Sequence, residues 1–79
     1  MAVKALVLVE VAGGKIEEVA QAIRKTKGVQ SVDMVTGPYD LAIMVEAADV
    51  GVIGALITKN IHAIPHLSKT TTCVVVKSF

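Results

Sequence analysis

Asp40, the amides around Gly37 and the hydroxyls of Thr70, Thr71 and Thr72 are the groups in this chain whose types and spacing could do chemistry. That chemistry is recognition of a small zwitterion. Val35-Thr36-Gly37-Pro38-Tyr39-Asp40 is a polar turn between two apolar runs, close to the midpoint of the 79 residues. Gly37 can take the positive φ that a tight turn demands, while Pro38 fixes its own φ and removes one donor. The remaining backbone N–H groups are suited to a carboxylate, and Asp40 or hydroxyl oxygens to an ammonium. Alternation along a strand puts Thr70 and Thr72 on one face and Thr71 on the other. Each feature also has a plain structural reading: Gly-Pro and Asp punctuate ordinary turns, and Thr is a favoured strand residue.

The same search for catalytic groups finds no nucleophile with a base and no pair of carboxylates in motif form, so no catalytic residue and no cofactor is expected. His62 and His66 are four apart, but Pro65 interrupts a helix between them and no cysteine or acid lies at ligand spacing. No metal site is expected, and both histidines read as solvated. Gly13-Gly14 follows an apolar run, yet neither the Gly-x-Gly-x-x-Gly nor the Gly-Lys-Ser/Thr pattern is present, so the pair reads as the turn that starts a helix, with Lys15 exposed on its first turn.

These groups must be positioned by strands and helices whose periods are legible. Ala5 to Val9 is a β-branched-rich run and reads as the first strand. From Lys15 to Thr26, Ile16, Val19, Ala20 and Ile23 fall at i, i+3, i+4 and i+7, with acids early and bases late, and Gly28 fits a helix end. Val29–Thr36 reads as a second strand and Leu41–Val45 as a third. Asp49 is an N-cap for a helix running to about Ile64, weakened by Gly51 and Gly54 and ended by Pro65. Thr70–Lys77 closes the chain as a strand. The two halves repeat one β-α-β pattern: Val9-Glu10-Val11-Ala12 matches Val45-Glu46-Ala47-Ala48. The expectation is a single domain over 1–79 of α+β class, a ferredoxin-like β-α-β-β-α-β plait with a four-stranded antiparallel sheet and both helices on one face.

A chain of 79 residues buries only about 60% of its unfolded surface. Hydrophobic residues nevertheless make up 53% of it, almost all aliphatic, since aromatics are 3%. The apolar runs at 6–9, 41–45 and 73–76 are continuous rather than alternating, so the sheet face away from the helices must also be covered. Leaving several such side chains wet costs several kcal/mol at about 25 cal/mol per Å². A dimer packed sheet to sheet follows. In the second helix Val50, Val52, Ile53, Ala55, Leu56, Ile57 and Ile61 wrap most of the circumference, which favours further assembly unless Val50, Val52 and Ala55 simply lie exposed. The net charge of +1 is interspersed and aromatic stacking groups are few, so no direct nucleic-acid binding is expected. Cys73, the single cysteine, falls in an apolar run and reads as a buried strand thiol in a reducing cytoplasm. No stretch approaches the roughly 18 apolar residues of a membrane span, and no membrane partner is expected.

The order of elements, the Val-Thr-Gly-Pro-Tyr-Asp turn, the Ile64-Pro65-His66-Leu67-Ser68 connection and the Thr-x-Thr opening of the last strand together resemble the ligand-binding domain of the leucine-responsive/asparagine (Lrp/AsnC) regulator family over essentially the whole chain. The resemblance implies a plait that dimerises through its sheets, builds rings of dimers and binds small effectors, typically amino acids, between dimers near the central turn and last strand. It points to Gly37, Tyr39, Asp40, Thr70 and Thr72. It also implies a DNA-reading helix-turn-helix domain that these residues lack, so a stand-alone sensing form is expected, with a DNA-binding paralogue as a partner through which it would regulate transcription. His66 stands where the family usually has the glycine of a Pro-Gly-Val turn, and Pro38 lowers the donor count. A small dimeric plait enzyme of monooxygenase or isomerase type, using Asp33 or His62, and a structural ring scaffold are the competing readings.

Overall fold

In the computed structural model, which describes residues 2–79, the elements follow in the order β1 (Val3–Val11), α1 (Ile16–Arg24), β2 (Val29–Met34), β3 (Leu41–Ala47), α2 (Val50–Ala55) continuing as a π-helical segment (Leu56–Ile61), and β4 (Leu67–Val74). The four strands form one antiparallel sheet in the order β2-β3-β1-β4. This is the expected plait. The hairpin supplies β2-β3, and the two β-α-β crossovers bring β1 to the centre beside β3 and leave β4 at the opposite edge.

The core lies between the inward sheet face and the helices. Ala5, Val7 and Val9 of β1 and Leu41, Ile43 and Val45 of β3 are buried at every second position, as a pleated strand requires. Val19 and Ile23 of α1 cover them from one side, with Ile16 and Ala20 at the margin, so the buried stripe read from the sequence is the packed one. From the second helical segment Ile53, Ile57 and Ile61 complete the core.

The isoleucine period of four explains the unusual end of that helix. An α-helix advances about 100° per residue, so a contact repeated every four residues drifts by about 40° each time. The π-helical turn compensates. His62 donates its backbone N–H to the Ile57 carbonyl at 2.9 Å, a five-residue step, and Ile61 stays fully buried. Gly54 favours this loosening through its low helix propensity, and the Thr58 hydroxyl donates back to its carbonyl at 3.0 Å. Asp49 caps the N-terminus as expected, accepting from the Val52 N–H at 2.9 Å.

Several boundaries differ from the sequence reading. The last strand begins at Leu67 and ends at Val74 instead of spanning Thr70–Lys77, because Leu67 pairs with Val11 and Lys69 with Glu10 across an irregularity that leaves Ser68 of β4 without a partner. Regular helix stops at Ile61, before Ile64, and β2 ends at Met34. Cys73 is a correction: the thiol is exposed. It sits opposite Leu6 on the outward face of an edge strand, where the apolar run of sequence does not become buried in the chain itself.

That outward face is ordered in two rows across the sheet. Ser31, Met44, Leu6 and Cys73 form one, and Asp33, Ala42, Leu8 and Thr71 the next. The apolar members lie in the middle, half-buried by their neighbours, and the polar ones on the edges. Among the described residues no helix is long and apolar enough to cross a membrane.

Candidate functional site

The turn singled out by sequence is built around Asp40. Its backbone N–H donates to the Val9 carbonyl at 2.9 Å, and its own carbonyl accepts from the Val35 N–H at 2.9 Å. Its carboxylate Oδ2 accepts from the Val11 N–H at 2.8 Å. This last bond gives a partner to an amide that lies beyond the end of the β1–β3 pairing, which stops at Val9 and Leu41. Gly37 has a φ of 127°, a conformation that side-chain-bearing residues avoid, so its glycine is required by the turn. Tyr39 is half-buried and Pro38 exposed.

Thr70 and Thr72 stand on the inward face, since they pair with the buried Val9 and Val7. They open toward α2 at the sheet edge, in a groove of about 320 Å³ whose walls are Val50, Ile53, Ile57 and Val74. Thr58 and His62 complete its polar side. His62, expected to be merely solvated, is instead tied to the sheet, its Nε2 lying 2.8 Å from Thr70 Oγ1. No sequence pattern signals this pair, because the contact depends on the π-helical phase of the helix end.

The structure does not bring the turn and the threonines into one cavity. Leu41, Val9 and Thr70 lie in a single row across the sheet, with β1 between. Two strand spacings separate the turn's end from Thr70, about 10 Å. Gly37, Tyr39 and Asp40 do not line the groove.

His66 has a φ of 70°, and it is the one described non-glycine residue on the left-handed side. Its carbonyl accepts from the Ala12 N–H at 2.8 Å, so the connection before β4 is fastened to the end of β1. Gly13 and Gly14, at φ 65° and 68°, form the turn into α1, and Lys15 is exposed and 3.6 Å from Glu18. Among the described residues no three His, Cys, Asp or Glu side chains cluster as a metal site would need.

With this geometry the family comparison becomes decisive: the model of the Lrp/AsnC ligand binding domain matches residues 4–79. The chain belongs to the Lrp/AsnC ligand-binding domain family. The proline dehydrogenase transcriptional activator of Rhizobium radiobacter is 32% identical over 63 residues, which are 80% of this chain and 40% of that regulator. The chain therefore spans less than half of the regulator's length. TTHA0845 from Thermus thermophilus superposes with a TM-score of 0.92 at 28% identity, over 98% of this chain and 96% of that one. The transcriptional regulator NMB0573 of Neisseria meningitidis, solved as a complex with L-Met, shares the fold with a TM-score of 0.84 at 18% identity, over 95% of this chain and 50% of its own. Lrp/AsnC proteins are transcriptional regulators that bind small-molecule effectors and form oligomers, and they are not enzymes. The monooxygenase or isomerase alternative, with Asp33 or His62 as its chemical group, gives way to this assignment.

Proposed function

We propose that the domain senses an amino acid without transforming it, and that it does so as a sheet-to-sheet dimer built into a higher oligomer. The observation that carries this reading is the gap of about 10 Å between the turn and the threonines. In a single chain Gly37, Tyr39 and Asp40 do not line the groove that holds the threonines. A site in which Gly37, Tyr39 and Asp40 come from one copy and Thr70 and Thr72 from another does not have to bridge that gap, and it makes occupancy depend on assembly. Asp40 Oδ2 is already engaged by Val11, which leaves Oδ1 for an ammonium. The L-Met complex of the Neisseria regulator supports the ligand class.

The outward sheet face supports the dimer. Leu6, Leu8, Ala42 and Met44 form an apolar centre with polar edges, the layout of a small interface. Regulation of transcription would then pass through a DNA-binding paralogue whose assembly the effector biases, which requires different effector affinity in the two assembly states.

The test is thermal unfolding against the twenty amino acids one at a time, paired with sedimentation. A ligand at 100 times its Kd adds about 2.7 kcal/mol and moves the midpoint by several degrees. One or two amino acids are expected to do so and to change the assembly. A flat panel with intact oligomers would leave a structural ring scaffold, and a monomer at micromolar concentration would remove the composite site.

A further inference from the structure

We propose a second ligand site at the opposite end of the sheet, which takes a small carboxylate with an aliphatic body. The half-open cavity there has a volume of about 560 Å³, within the range of sites for small molecules and larger than the threonine groove. Ala47, Val52, Ala55 and Leu56 form its apolar walls, and Lys27 and Lys59 line it from two different elements. Six residues of β3 separate Ala47 from Leu41, about 20 Å, so the cavity shares nothing with the turn at Asp40.

Three observations give the cavity its chemistry. Val52 is 48% exposed at its wall, an apolar surface left wet in the chain. Lys27 and Lys59 make no ion pair with any described carboxylate, the one described salt bridge being Lys15 with Glu18. Glu46 makes no ion pair with them: alternation from the buried Val45 puts its side chain on the other face, opposite Lys4, while its carbonyl lies beside Gly28. The floor is set by Gly28, at φ 97°, where an added Cβ would come within 3.4 Å of Leu56 Cδ1 and 3.5 Å of the Glu46 carbonyl. An apolar body against Val52 and Leu56 with a single negative charge between two lysines matches these walls, and a cation or a neutral polar molecule does not. Asn60 adds an amide donor at the rim.

The probe is hexanoate, titrated calorimetrically into the intact protein, with 1-hexanol and hexylammonium as matched controls. Hexanoate is expected to bind with a Kd of about 1 mM or tighter, and each control at least about tenfold more weakly. Lys27→Gln with Lys59→Gln is expected to weaken hexanoate about tenfold. Both lysines are exposed, so this variant folds as the parent does, and a matching melting curve verifies it. Ala55→Phe, which fills the cavity, abolishes binding, whereas Thr72→Val in the other groove leaves it unchanged. No binding heat with hexanoate overturns the proposal. So does equal binding of hexanol, unchanged affinity in the double lysine variant, or loss of binding in Thr72→Val.

Discussion

Replacing Asp40 by Ala removes the acceptor of the Val11 N–H, and its cost can be worked from the geometry. A hydrogen bond to a charged group contributes about 1.5–3 kcal/mol. The bond is 2.8 Å long but only part-buried, so water can satisfy part of the freed amide and the lower end applies, about 1.5 kcal/mol. For a domain of this size each kcal/mol moves the midpoint by about 4–8 °C, giving a fall of about 6–12 °C for Asp40→Ala. Asp40→Asn keeps an oxygen at the same place, loses the charge and should fall by about half as much. The assay is calorimetric or circular-dichroism melting at one fixed protein concentration, because association shifts the midpoint by mass action. Amide exchange at Val11 supplies a local readout, accelerated in the alanine variant and largely restored in the asparagine one. An Asp40→Ala midpoint within about 2 °C of the parent would refute the reasoning. The comparison also separates two roles of the residue: an effector response lost in Asp40→Asn, with stability mostly kept, would assign the charge to the ligand.

Further outcomes can be checked with single variants. His66→Gly relieves a left-handed φ that costs an L-residue about 1–2 kcal/mol, offset in part by glycine's unfolded-state entropy, so a gain of about 0.5 kcal/mol and a slightly higher melting point are expected. His66→Ile should melt lower, and a lower midpoint for the glycine variant would show the backbone to be unstrained. Asp49→Ala deprives Val52 of its cap and should cost about 1 kcal/mol, read by urea unfolding as a lower midpoint at constant slope. Cys73, exposed in the chain, should react slowly with a thiol reagent when sheets are paired and faster on dilution; a fast, concentration-independent rate would place the dimer interface elsewhere.

The plait was legible because apolar strand runs and one helical period, repeated in two halves, carry it. The β-branched apolar runs of β1 and β3 and the Ile16-Val19-Ala20-Ile23 stripe are local facts that packing then uses, and the alternation of burial within the continuous runs emerged only in the sheet. Boundaries that depend on neighbours were not legible. The start of β4 at Leu67 is fixed by pairing with Val11 across a bulge, and the π-helical segment by the demand that Ile61 remain buried. Cys73 shows the limit of composition, since an apolar run in an edge strand has one face with nothing in the chain to cover it. The turn at Gly37 was readable from residue types, and so was the split of Thr70 and Thr72 from Thr71. The distance between turn and threonines follows from strand order, which no local pattern contains. His66 was marked as an oddity by the glycine expected there, and its φ of 70° lies in the left-handed region that glycine adopts freely.

Three residues at and just past the end of β1 bind more than their neighbours in the sheet. The Val9 carbonyl holds the Asp40 amide, the Val11 amide holds the Asp40 carboxylate, and the Ala12 amide holds the His66 carbonyl. The hairpin between β2 and β3 and the connection into β4 are thus hinged on one short rail and cannot open independently. Their amides should exchange with solvent in a single cooperative event, and a molecule that stiffens either loop stiffens the other across the full width of β1.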